Sequence, residues 1–299
     1  MSRLALSLLC AFFLLGASET DERVITGDGV VAGSLNGVPF RLRVEPGALA
    51  IPIVTADIAR QAGLKAGPFD WEYVIGEKKV EGESAVARID FGKGPEKRRV
   101  AWTQRRAAET VDGVVGPGML REDVIRFVLR PEIEGEREAV FRMVGQGGME
   151  EKWGERFARI EVGGAPLRVQ FDPLRARSVA TANAGARLAA AFDGIIGQAD
   201  GMMIIGFGIE RPIRTLTLGT ALQIGSLSLD EVAVRTNDFG SIDRIRTERR
   251  NSDPNEIVVR ATTTRAKNHD QLILGADYLD ACSQIIFDKR RKQIRLRCI

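Results

Sequence analysis

Two carboxylates stand where one chain could bring them together. Glu45 closes the strand within the run Asn36-Gly-Val-Pro-Phe-Arg-Leu-Arg-Val-Glu-Pro-Gly-Ala48. Asp172 holds the same place in a second run, Gly163-Gly-Ala-Pro-Leu-Arg-Val-Gln-Phe-Asp-Pro-Leu-Arg175. Both runs read turn, proline, alternating apolar strand, acid, proline, and the acids lie 172 − 45 = 127 residues apart. Two carboxyls held a hydrogen bond apart cannot both ionise, so one keeps a proton while the other stays charged. With a water between them, such a pair supplies the base and the acid that hydrolyse an amide. A lone acid before a proline is ordinarily a turn residue; two at equivalent points lead to the expectation that they meet.

Other chemistries find little support. His269, the single histidine, lies in the polar stretch Lys267-Asn-His-Asp270, and no Gly-x-Ser-x-Gly elbow accompanies it for a serine triad. Structural zinc wants four nitrogen or sulfur ligands, so no metal is expected, and no cofactor either. The pair Gly206-Phe-Gly208 lacks the strand-to-helix setting of a nucleotide fingerprint. A net charge of +3 and 6% aromatics point neither to nucleic acid nor to an anionic surface. Lys289-Arg-Arg-Lys292 reads as a solvated hairpin turn, and Trp71, Tyr73 and Trp102 as core residues with a possible place in a cleft or flap.

The elements that must position the acids follow from the pattern. Arg3 precedes an apolar run over 4–15 and the small residues Gly16-Ala17-Ser18, so 1–18 is expected to be a signal peptide and the protein to be periplasmic or secreted, without a membrane span after cleavage. In that setting Cys282 and Cys298 are expected to form a disulfide, tying a helix start to the last strand. After Glu45 come a strand over 50–54 and a helix from Thr55 to Gly63. Hairpin strands are expected at 71–75, 85–91 and 99–102. Val115-Gly116 follows, a buried strand end where another backbone passes closely, and then a short helix and a strand over 124–129. The charged, glycine-rich stretch 132–154 reads as a linker with some strand character at 139–144.

The second unit repeats the plan. Strands are expected at 157–162, 178–181, 215–218, 227–236 and 257–262, a helix at 184–192, and a closing hairpin over 284–288 and 293–298. Leu274-Gly275 answers Val115-Gly116 at an offset of 275 − 116 = 159, so the second unit is the longer; much of its extra length is expected in the arginine-rich loop 241–256. A duplicated, mainly β chain with a cleft between its halves is implied.

This order resembles the pepsin and retropepsin aspartic peptidases: strand, acid, Gly47-Ala48, second strand, helix, hairpins, then Asp112-Gly-Val-Val-Gly116. The tail Leu272-Ile-Leu-Gly-Ala-Asp-Tyr-Leu279, followed by Ile286-Phe-Asp-Lys-Arg-Arg-Lys-Gln-Ile-Arg-Leu296, looks like the end of a pepsin-type second lobe. The resemblance covers nearly all of the chain beyond residue 18. It implies a mainly β, two-lobed acid-protease barrel fold with a pseudo-twofold repeat and a few short helices. The lobes would span 24–131 and 155–299. It also implies a monomer that takes a polypeptide substrate or peptide ligand in the cleft. Glu45 and Asp172 would be the catalytic pair, Gly116 and Gly275 the supporting glycines. The family motif, Asp-Thr/Ser-Gly in each lobe, appears here as Glu45-Pro46-Gly47 and Asp172-Pro173-Leu174. Ala48 continues the first loop. The family's hydroxyl ties the two loops together, and neither proline supplies one; proline also removes a backbone donor.

Overall fold

The computed structural model describes residues 21–146, 152–238, 240–247 and 270–299. The expected signal peptide, His269 and the strand at 257–262 lie outside these residues, as does most of the loop 241–256. The chain is mainly β, with three helices among the described residues. In chain order the first half gives β1 (Glu22–Ile25), β2 (Val30–Leu35), β3 (Val38–Val44), β4 (Ile53–Thr55), α1 (Ala56–Gln61), β5 (Trp71–Ile75), β6 (Lys78–Asp90), β7 (Glu96–Thr103), β8 (Gly113–Val115) and β9 (Val124–Val128). Then follow β10 (Arg137–Val144), β11 (Phe157–Val162), β12 (Ala165–Phe171), β13 (Val179–Ala180), α2 (Ala182–Ala191), β14 (Ile195–Gly206), β15 (Ile209–Ile224), β16 (Leu227–Arg235), β17 (Arg246–Thr247), β18 (Gln271–Leu274), α3 (Ala276–Leu279), β19 (Cys282–Asp288) and β20 (Gln293–Cys298).

One sheet runs β2-β3-β8-β4-β7-β6-β5, and a further β2–β6 pairing closes six of its strands into a barrel. Closure removes exposed edges, the usual liability of a sheet. The other sheet has thirteen strands in the order β1-β9-β19-β20-β10-β11-β12-β18-β13-β16-β15-β14-β17. Local sequence explains how β3 and β12 begin. Asn36 and Gly37 both take positive φ (49° and 86°), as do Gly163 and Gly164, which is the backbone a two-residue hairpin turn needs. Along β3 the side chains of Phe40, Leu42 and Val44 are buried and Arg41 is exposed, so one face meets the core.

The same pairing occurs around each acid. β3 runs parallel to β8, which is antiparallel to β4, which is parallel to β7. β12 runs parallel to β18, which is antiparallel to β13, which is parallel to β16. Thr55 and Thr181 cap α1 and α2, each accepting a backbone N–H at its hydroxyl. One hydrophobic core passes through both sets of strands, from Leu42 and Val115 to Val169, Leu274 and Phe287.

The structure corrects several expectations. The segment after Gly116 is a turn rather than a helix, because Pro117-Gly118 breaks it and a side chain at Gly118 would strike Ala50. The 132–154 stretch, read as a linker, contains β10, which pairs with both β20 and β11 inside the large sheet. The long strand β14 was not expected. Cys282 and Cys298 are bonded, but Cys282 opens β19 rather than a helix, and the bridge joins two strands of one hairpin. No described helix is long and apolar enough to cross a membrane.

Candidate active site

Each acid follows the end of a strand and is anchored by its own backbone. The Glu45 N–H donates to Val115 O (3.0 Å), and the Asp172 N–H donates to Leu274 O (2.9 Å). A turn follows both: Ala48 N–H to Glu45 O and Arg175 N–H to Asp172 O, each 3.1 Å. Gly116 and Gly275 sit where these turns pass close to the following strand ends. A Cβ on Gly116 would lie 2.1 Å from Ala48 O, and one on Gly275 would lie 2.5 Å from Arg175 O.

Glu45 and Asp172 line one cavity of about 840 Å³. Burial, and after it the Asp172 charge, push the Glu45 carboxyl up from 4.5 to about 7 against the pull of Arg43 and Arg175. Its side chain is 27% exposed, all that a water would need to reach it. Arg43 stands 3.8 Å from Glu45 Oε1, and Arg175 Nε stands 3.3 Å from Asp172 Oδ2. Asp172 Oδ1 also accepts the Leu174 N–H at 3.2 Å, an Asx-type turn. Of the remaining loop residues, Gly47 and Ala48 line the cavity. Pro46, Pro173 and Leu174 do not; Pro46 is buried beneath and Leu174 points outward, 54% exposed.

The tie between the two loops comes from a residue that the motif comparison overlooks. Gln170, buried in β12, donates its amide N–H to the Gly47 carbonyl and accepts at Oε1 from Gln271 (2.7 Å). A Cβ on Gly47 would collide with that amide, so the glycine and the glutamine require each other. Gln170→Leu keeps the volume and removes both bonds. It leaves the Gly47 carbonyl and the Gln271 amide, both half-buried at the cavity, to water, for a loss of about 1 kcal/mol each. We expect urea denaturation to report a loss of this order.

Aromatic residues from two hairpins meet at the cavity. Trp71 and Tyr73 of β5 stack 6.1 Å apart, and Phe207, in the β14–β15 turn, packs 5.8 Å from the first and 5.4 Å from the second. Phe207 holds a φ of 52°, a conformation rare for a bulky residue, which this packing compensates. Arg175 ties the same hairpin to the acid loop by donating to Ile204 O (2.9 Å) and Ile205 O (2.7 Å). Tyr73 Oη donates to Glu155 (2.8 Å), whose other oxygen accepts from Gln146 (3.1 Å). Burial raises the Glu155 carboxyl, and burial with that neighbour pushes the Tyr73 hydroxyl well above its ordinary value. Arg235 also lines the cavity and pairs with the buried Asp238 at 2.7 Å. Trp102, in contrast, belongs to the core, with its indole N–H on Glu83.

Gln170, Arg175, Glu155, Phe207 and Arg235 were thus missed. Gln170 carried a signal: one polar residue between Val169 and Phe171, two positions before Asp172. Among the described residues no group of three or more His, Cys, Asp or Glu could hold a metal ion. No protein-family model matches the chain, and no curated protein matches it.

Proposed function

We propose that this chain is an exported, two-lobed protein of the pepsin and retropepsin kind that hydrolyses peptide bonds in extended polypeptides through Glu45 and Asp172. The observation that carries this reading is the Glu45 carboxyl, raised to about 7 by burial and by Asp172 inside a cavity of about 840 Å³. Matching strand pairings around each acid support an internal duplication, with lobes over 24–131 and 155–299. The apolar run at 4–15 and the Cys282–Cys298 bridge support export to an oxidising compartment. The chain would act as a monomer, since both acids come from one polypeptide.

The chemistry needs no cofactor. Asp172 accepts a proton from a water as that water's oxygen attacks the scissile carbonyl carbon, while Glu45 gives its proton to the carbonyl oxygen. The tetrahedral intermediate collapses as the C–N bond breaks. The nitrogen takes the proton Asp172 holds, and Glu45 recovers its own from the hydroxyl of the intermediate. Gln170 does the work of the family's hydroxyl, holding Gly47 against the second loop.

A second reading is favoured by one contact. Arg175 Nε, 3.3 Å from Asp172 Oδ2, already occupies the carboxylate that must act as base, which suits a cleft that binds peptide without cutting it. A peptide-library digest from acid to neutral pH, run beside Asp172→Asn, separates the two. Cleavage by the wild type alone supports hydrolysis; identical traces leave the binding reading.

A further inference from the structure

We infer that the cleft continues into a basic groove that selects acidic side chains on the bound polypeptide, an inference that rests on the peptide-cleft reading above. A second depression of about 630 Å³ is lined by Lys97, Arg98 and Arg99 of β7, Arg121, Lys152, Arg156 and Lys289. No described lining residue is acidic. The whole chain carries a net charge of only +3, so seven cations in one depression are a local concentration that composition does not dictate. Lys289, read from sequence as part of a solvated turn, instead lies half-buried with its ammonium on the Leu120 carbonyl, and burial lowers its pKa.

Some of these charges are already engaged. Arg98 pairs with Glu96 at 2.8 Å, Arg156 donates to the carbonyls of Gly154 and Glu155, and Arg99 bonds the Ser84 hydroxyl. Lys97, Arg121 and Lys152 are exposed; Arg121 donates to the Lys93 carbonyl at 2.9 Å, and no ion pair is seen for the three among the described residues. Glu122, Asp123 and Asp21 act on Lys289 from nearby, and Glu122, the strongest of them, is buried and paired with Arg23 at 2.8 Å. Among the described residues, Lys97, Arg121 and Lys152 therefore offer positive charge to a ligand in the groove.

Two features favour a peptide over a simple polyanion. Arg99 and Trp153 line both this groove and the cavity holding Glu45 and Asp172, so one chain can run from one into the other. Trp153 (41% exposed) and Val86 (60% exposed) add apolar contact surface, which an inorganic polyanion would not use. An extended segment with its scissile bond over the acids would thus lay flanking Glu or Asp side chains among the cations.

The test uses the full chain without residues 1–18 and fluorescence anisotropy of two labelled peptides: one glutamate-rich, the other with glutamine at each glutamate. The acidic peptide is expected to bind about tenfold more tightly at low salt, an advantage that shrinks as salt screens it. Lys97→Glu with Arg121→Glu should abolish that advantage and leave the glutamine peptide's affinity unchanged. The milder pair Lys97→Gln with Arg121→Gln should lose part of it, and both side chains are exposed enough for the fold to persist. Equal affinity of the wild type for both peptides would overturn the groove and leave the peptide cleft standing. Binding of neither would overturn the cleft reading with it. Displacement of the acidic peptide by polyphosphate, with no binding of the glutamine peptide, would overturn the assignment to peptide and mark a general anion site.

Discussion

Asp172→Asn is expected to lower the rate of peptide cleavage by about 10²–10⁴-fold, the usual contribution of a positioned base. Wild-type cleavage is expected to fall as pH rises through 7. Asparagine keeps the shape and can still accept the Leu174 N–H, so the fold survives, but it cannot take a proton from water. The pH dependence comes from the other acid. Glu45 must be protonated to act, and its pKa is about 7 in the folded chain. Above that value each pH unit should remove about tenfold in kcat/KM, the slope of a single ionisation. A wild-type rate that stays flat from pH 6 to pH 9 would remove Glu45 from the role of acid.

Stability should follow the same proton, with a definite sign. The folded state holds a proton on Glu45 up to about pH 7, while the unfolded chain releases it near 4.5. Folded molecules therefore bind more protons between those values, and stability declines as pH rises through that window. The full shift would correspond to about 3 kcal/mol, but Arg43, Arg175 and the carboxyl's residual exposure make about 1–3 kcal/mol the reasonable range. Glu45→Gln removes the decline, so its advantage over wild type in urea denaturation should be larger at pH 8 than at pH 4.5. The same variant should lose cleavage, since an amide cannot donate the proton.

Much of the scaffold was legible because its signals are local. Asn36-Gly37 and Gly163-Gly164 announce their turns, Thr55 and Thr181 announce their helices, and the apolar alternation in β3 follows the core. What the sequence hid depends on contacts between distant positions. Glu155 lies in a charged, glycine-rich stretch that reads as a linker, and its bonds to Gln146 and to Tyr73, 82 positions away, explain why it is buried. β14 escaped notice for another reason. Its positions are mostly exposed, Gly197 and Gly201 interrupt it, and bulges shift its register against β15, so no period of two survives. Phe207 looked like part of a glycine-flanked turn, and its partners come from the opposite hairpin. The shared pattern of the Glu45 and Asp172 loops was legible; the bond that joins those loops was not, because nothing local links Gln170 to Gly47.

Gly116→Ala should be among the most damaging single-methyl changes in the molecule. A Cβ there would stand 2.1 Å from Ala48 O and 2.8 Å from Ala48 C, which are backbone atoms of the loop that follows Glu45. No rotamer relieves a clash between a Cβ and a main chain, so either the loop or β8 must move. The Gly116 N–H bond to Leu49 O, 2.7 Å, would stretch as they part. Overpacking of this kind costs about 3 kcal/mol or more. The catalytic loss should be of comparable size, since displacing an acid by about 1 Å can cost about 100-fold in rate, about 2.7 kcal/mol. Gly275→Ala should do the same from the other side, as its Cβ would press on the Arg175 carbonyl at 2.5 Å and shift the arginine paired with Asp172. Gly197→Ala provides the control. Its nearest neighbour would be Thr215 O at 3.5 Å, ordinary contact, so the change should be neutral or stabilise by up to about 1 kcal/mol. Thermal unfolding of the three variants, read with peptide cleavage, tests whether the two glycines hold the acids in place. Melting temperatures for Gly116→Ala and Gly275→Ala that match Gly197→Ala would show that the loops have room to spare and that the close approach is not what positions the pair.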